Sequence, residues 1–205
     1  MIYENIIPKI YQDELLEFFS SNLFPWRYEP GTTYSKNTKL PLQQNFGNTI
    51  CLDKNTIDSQ QFIHVFLFNG QVQSPALDRV KPILYFLNDR GVEIKSLKRI
   101  KANLLVKEST YPDNCYNIPH VDSYREEIPN GLKSFVYYIN DSDGDTILFK
   151  EKLTHATMPV LHDLTVEQRV TPKKGSGVLF DSFQFHASSP PRKTDARMVL
   201  NFIFN

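Results

Sequence analysis

The sequence predicts a mainly β protein with helices (α+β), a sandwich or barrel of short strands packed on an amino-terminal helical layer. Three observations carry this. From about Lys98 onward, short runs of β-branched and aromatic residues alternate with turn signals, and no helical pattern of useful length interrupts them. Two earlier segments place their apolar residues at helical spacing instead. Hydrophobic residues make up 40% of the 205 positions, with 15 Phe and 10 Tyr, enough for one sizeable core with an aromatic bias.

Each element has its own reason. Lys9–Ser20 spaces Ile10, Leu15, Leu16 and Phe19 as one helical face. Residues 22–49 are rich in Pro, Gly, Asn and Thr and read as loops and short strands. Gln61–Phe68 is an apolar run of strand length, of the kind buried on both faces. Ser74 can cap a second helix with Pro75 in its first position, and Leu77, Val80, Ile83, Leu84 and Leu87 form its stripe. Pro82 inside that stripe predicts a kink or two shorter helices. The strands expected next are Ile100–Lys107, Ser134–Ile139, Thr146–Phe149, Leu164–Thr171, Gly177–Phe180 and Arg197–Phe204. No repeat, low-complexity tract or linker divides the chain, so residues 1–205 read as one domain. About 1–95 form its supporting layer and about 98–205 its β core.

Composition narrows function. Lys plus Arg equals Asp plus Glu at 23 each, so no basic surplus argues for nucleic acid. Cys51 and Cys115 are too few for a disulfide scaffold or a Cys-rich zinc site. The opening MIYENIIPKIYQDELLEFF lacks the basic and apolar regions of a signal peptide, and no run is apolar enough to span a membrane. A soluble, cytoplasmic, reduced protein is the expectation; the oligomeric state is not readable.

Two segments carry metal-binding chemistry. NIPHVD holds His120 and Asp122, which an extended backbone points the same way. FQFHA supplies His186 far downstream, expected at the end of another strand. Two imidazoles and one carboxylate occupy one face of an octahedral ion and leave the rest open, as Fe(II) oxygenases require. A closed zinc site wants a fourth ligand or more thiolate. Arg197 follows His186 by eleven residues and opens RMVLNFIF, a strand from which a guanidinium can grip a carboxylate with two parallel bonds. Arg192 is the other candidate, but its Pro-rich loop fixes its aim poorly.

Together, TYPDNCYNIPHVD, KSFVYYINDSDGDTILF, VTPKKGSGVLFDSFQFHA and RMVLNFIF resemble the 2-oxoglutarate and Fe(II)-dependent oxygenase superfamily, prolyl-hydroxylase-like branch. The resemblance covers about Ile100–Phe204, half the chain. It implies a double-stranded β-helix, a cupin-like jelly roll, with iron held by His120, Asp122 and His186 as the catalytic centre. It implies 2-oxoglutarate anchored by Arg197 and Tyr138, with Tyr111 lining the co-substrate pocket, O2 as oxidant and ascorbate as a further candidate cofactor. Asp122 favours hydroxylation, since related halogenases lack that carboxylate. SDGDT departs from the family's Gly-Gly-x-Thr turn; its DSDGD run resembles a calcium loop but lacks the later acidic ligand, so a β-turn is expected.

The remaining groups read plainly. His64 is expected as a hydrogen-bonded core residue, His155 and His162 as loop residues, and Cys115 near the metal. Lys98, Arg99 and Lys101 read as a solvated strand edge. The function expected is hydroxylation of a protein or peptide side chain, prolyl first. Hydroxylation of a free amino acid or other small metabolite is the alternative, and a non-catalytic cupin-like binding module the alternative from another class. Demethylases of alkylated bases carry a second Arg six residues after the first, where this chain has Ile203.

Overall fold

The computed structural model describes residues 1–32, 55–123, 127, 130–154 and 164–205. The elements run in order β1 (Ile2–Tyr3), α1 (Lys9–Ser20), β2 (Arg27–Glu29), β3 (Thr56–Ile57), β4 (Gln61–Phe68) and β5 (Gln71–Val72). A 3-10 turn over Pro75–Arg79 leads to α2 (Pro82–Asp89), followed by β6 (Leu97–Val106), β7 (Tyr116–Asn117) and β8 (Lys133–Tyr138). The chain closes with β9 (Thr146–Lys152), β10 (Val166–Val170), β11 (Gly177–Asp181), β12 (Gln184–Ser188) and β13 (Ala196–Phe204).

The main sheet runs β1-β11-β8-β13-β6-β4-β2, with β5 added to β4; the second sheet runs β10-β9-β12. Two antiparallel sheets pressed face to face form the double-stranded β-helix. The layer between them holds Val136, Tyr138, Val178, Phe180 and Val199 against Leu148 and Val170.

Strict alternation gives the main sheet two faces. On β13, Met198, Leu200, Phe202 and Phe204 turn outward into a cluster with Leu15, Phe19, Ile83 and Leu87 of the helices. On β8, Phe135 and Tyr137 do the same, opposite the inward Val136 and Tyr138. Each such fully buried large apolar side chain contributes about 1.5–3 kcal/mol. The helices thus cover one face of the sheet and leave the other to the site.

Pro82 produces the two shorter helices expected: Ser74 Oγ accepts from Ala76 N at 3.2 Å, and α2 restarts at Pro82. In α1 the buried face is shifted by part of a turn. Ile10 is 71% exposed, and Gln12 is buried in its stead, donating to Ile7 O at 2.9 Å and pressed against Gly175. Gly175 is the residue that can hold φ +79° there.

Two strand expectations are corrected. Lys98–Lys101 is no edge: β6 is flanked by β13 and β4, so alternation sends Ile100 and Ala102 into the helical core and Arg99, Lys101 and Asn103 into the barrel. His186 lies inside a strand of its own, β12, and not at the end of the preceding one.

Candidate metal centre

His120 and His186 are tied by their backbones before their side chains meet. Each donates its N–H to the other's carbonyl at 2.9 Å, an isolated antiparallel bridge that extends β12. Asp122 N donates to Ser182 O at 2.9 Å, a second backbone tie, out of register with the bridge, that fixes the next ligand in place. These backbone ties therefore deliver both imidazoles and the carboxylate to one point. One ligand atom from each of His120, Asp122 and His186 lies within 4.8 Å of the others, as a single ion requires.

The rings are prepared as ligands. His120 Nδ1 lies 3.1 Å from Ile118 O, and His186 Nδ1 lies 3.1 Å from Gln184 O. A carbonyl partner assigns the ring proton to Nδ1 and leaves the Nε2 lone pair free for a metal. Burial, with the His186 ring beside it, lowers the His120 pKa to about 3, although Asp122 pulls the other way, so the ring is neutral and ligand-competent. Burial would raise the Asp122 pKa, but Arg99 and the two rings overcome it and hold the carboxyl well below its ordinary range. Arg99 Nη2 donates to Asp122 Oδ1 at 2.5 Å, Ser134 Oγ to Oδ2 at 2.6 Å, and Asn201 Nδ2 to Oδ2 at 3.1 Å. The donor set and its supports fit a divalent ion with an open face.

One cavity continues from this cluster to Arg197, with Leu105, Val136 and Val199 among its apolar walls. Arg197 is 4% exposed and donates only to neutral oxygens, Gly144 O at 2.8 Å and Thr146 Oγ1 at 2.7 Å. It has no carboxylate partner among the described residues. A buried guanidinium without an anion is expensive, so the cavity fits a ligand carboxylate at that end. Gly144 is required there: a Cβ would stand 2.6 Å from Ser189 O and 3.0 Å from Arg197 Cδ. Tyr138 Oη donates to Thr146 Oγ1 at 2.9 Å, which places it beside Arg197, and burial raises its pKa to about 12.

Other expected residues lie elsewhere. Tyr111 does not line the cavity of His120 and Arg197; it lines other pockets, one of them with Asp113, Cys115 and Arg192. The TYPDN segment belongs to no strand, so nothing aims Tyr111 into the barrel. Cys115, a buried free thiol, shares that pocket, and Arg192 pairs with Asp113 at 3.0 Å. His64 is hydrogen-bonded as expected, to Pro25 O at 3.2 Å and Ser74 Oγ at 2.8 Å. Asp143 accepts the backbone N–H groups of Arg192, Lys193 and Thr194, so the DSDGD segment closes a turn. His155, His162 and Cys51 fall outside the described residues. Arg99, Lys101 and Asn201 are site residues the sequence reading passed over. Their signal was the alternation of two central strands, visible only once the strands are paired.

The comparisons with known proteins agree with this geometry. Residues 107–205 match the family model for the 2OG-Fe(II) oxygenase superfamily. No curated protein sequence matches the chain. Among solved structures, a Pseudomonas putida prolyl-4-hydroxylase is similar over 100% of this chain and 91% of its own, at 15% identity and a TM-score of 0.51. The α-ketoglutarate-dependent epimerase SnoN of nogalamycin biosynthesis is similar over 100% of this chain and 77% of its own, at 9% identity and a TM-score of 0.56. At these identities the likeness is one of fold.

Proposed function

Through residues 107–205 the chain belongs to the 2OG-Fe(II) oxygenase superfamily and is a dioxygenase, and from that premise we propose that it hydroxylates a C–H bond of a protein or peptide side chain, prolyl first. In this reading His120, Asp122 and His186 hold Fe(II), and Arg197 holds the far carboxylate of 2-oxoglutarate. The observation that carries it is the single cavity with the triad at one end and a buried, carboxylate-free guanidinium at the other. A dicarboxylate lying between them satisfies both.

When bound, the metal and co-substrate supply the oxidising chemistry: 2-oxoglutarate becomes succinate and CO2, and one atom of O2 enters the substrate. The protein positions and shields. Nδ1 hydrogen bonds aim both imidazoles. Thr146 and Gly144 aim Arg197. Leu105, Val136 and Val199 limit water around the reacting groups.

The prolyl assignment is supported by fold-level likeness to the Pseudomonas putida enzyme, an analogy and not a site argument. A second reading, a small-molecule substrate, is favoured by the charged wall of the cavity, where Lys101 faces inward. The test is anaerobic titration of Fe(II)-loaded protein with 2-oxoglutarate, followed by O2 and a panel of proline peptides and free amino acids. A visible charge-transfer band, then succinate and a product one oxygen atom heavier, is the expected result. No band at verified iron occupancy overturns the proposal.

A further inference from the structure

The inner face of β6 carries polar groups that neither the metal nor the co-substrate employs. Arg99 is committed to Asp122. Asn103 Nδ2 donates to Gln61 Oε1 at 2.7 Å, and Gln61 Nε2 donates to the carbonyls of Gly31 and Thr32, each at 3.0 Å, so this amide pair is fixed. Lys101 lies between Arg99 and Asn103 on the same face and lines the cavity of His120, Asp122 and Arg197. Its ammonium makes no hydrogen bond or ion pair among the described residues.

Charge and position both mark Lys101 as waiting for an anion. Arg99, Lys101 and Arg197 are cationic around this cavity and Asp122 is anionic; a divalent metal and a dianionic co-substrate cancel each other. With Arg99 paired to Asp122, two positive charges remain uncancelled, on Arg197 and Lys101; Arg197 has a co-substrate carboxylate to hold, and Lys101 has no such partner. Burial and Arg99 already lower its pKa to about 8, because nothing nearby fully compensates the ammonium. The register separates it from the co-substrate anchor: Leu105 is the Cα partner of Arg197, and Lys101 that of Asn201. Four strand residues are roughly 13 Å. Lys101 therefore sits at the Asp122 end of the cavity, where Asn201 also reaches the ligand carboxylate, and Arg197 sits at the other.

We propose that Lys101, beside the fixed amides of Asn103 and Gln61, binds a carboxylate of the substrate, so that this oxygenase acts on acid-bearing molecules. The inference rests on the function proposed above and names its substrate class. A charge-assisted bond in a cavity is roughly twice as strong as a neutral one. A neutral analogue leaves Lys101 unpaired, which is how such a site rejects it.

The test uses Mn(II)-loaded protein with 2-oxoglutarate and compares paramagnetic relaxation of propionate and propionamide protons by NMR. In wild type, propionate is expected to show about tenfold the enhancement of propionamide. Lys101→Met brings the two to parity, and Lys101→Arg keeps the preference. The Fe(II)·2-oxoglutarate band is measured on all three proteins and stays unchanged. Parity in wild type, or a preference that survives in Lys101→Met, overturns the proposal. A weakened band in Lys101→Met also overturns it, because Lys101 would then hold the co-substrate. Absence of the band in wild type removes the functional reading itself. Free L-proline and a capped Asp-Pro dipeptide, compared with prolinamide and capped Asn-Pro, tell a small acid from an acidic peptide. A preference for either acid supports the proposal, and no preference in both pairs overturns it.

Discussion

Arg197 and Tyr138 converge on one atom: both donate to Thr146 Oγ1, at 2.7 and 2.9 Å. A hydroxyl oxygen that accepts two bonds has used both lone pairs, so its own proton is left to point into the cavity that Thr146 lines. Thr146 and Arg197, from two strands, thus have donors left for one carboxylate position, while Tyr138 spends its one hydroxyl proton on holding Thr146 in place. Thr146→Val removes the junction while keeping shape. It is expected to raise the 2-oxoglutarate requirement about tenfold, roughly 1.4 kcal/mol, with kcat changed less; succinate formation against co-substrate concentration checks it.

Arg197→Ala should raise the same requirement far more than Arg192→Ala. Arg192 pairs with Asp113 in another pocket, whereas Arg197 is a buried cation lining the cavity of His120, Asp122 and His186. Equal effects of the two substitutions would move the anchor to the Pro-rich loop.

Arg99 shares Asp122 with the proposed metal. Its guanidinium draws charge from Oδ1 and adds a cation beside a divalent ion, while Ser134 and Asn201 continue to orient the carboxylate without it. Arg99→Met is therefore expected to tighten Mn(II) binding several-fold, on the order of 1 kcal/mol, measured by calorimetry. Weaker binding would show that Arg99 positions Asp122 more than it competes for it.

Lys101 gives a pH signature in the metal-free protein. Below about pH 8 folded and unfolded chains both carry its proton; between about 8 and its ordinary 10.5 the unfolded chain alone keeps it. The unfolded state then binds more protons, so stability rises with pH across that window. Lys101→Met should melt higher than wild type at neutral pH, and its advantage should shrink as pH climbs from about 8 toward 10.5. Thermal melts across that range read it directly.

Gly144→Ala should impair the site from a turn. The added Cβ meets Ser189 O and Arg197 Cδ, so either the turn or the guanidinium shifts. A raised 2-oxoglutarate requirement with a small loss in melting temperature is expected; unchanged kinetics would mean the turn absorbs the methyl group without moving Arg197.

Much of this was legible in residue order because the functional groups sit in strands with strong alternation. RMVLNFIF places Arg197 on the face opposite Met198 and Leu200, and VYYIN separates Tyr137 from Tyr138 in the same way. What failed to read was set by pairing. Arg99 and Lys101 look like solvent-facing residues until β4 and β13 enclose their strand. Strand β12 follows β11 after only two residues, too close for a separate strand to stand out, although the β9 pairing defines it. Tyr111 carried a family role, but its position is decided by loop packing, which the order of residues does not encode locally.

The reciprocal backbone bonds between His120 and His186 have a thermodynamic consequence. Their spacing is a property of the folded sheet and not of whatever ion sits between the rings. The entropy of gathering these two ligands is lost during folding, so ion capture needs little further ordering and its free energy can appear almost whole as affinity. Chelation should then empty the centre without melting the barrel, and readmission should be a docking event on a finished surface.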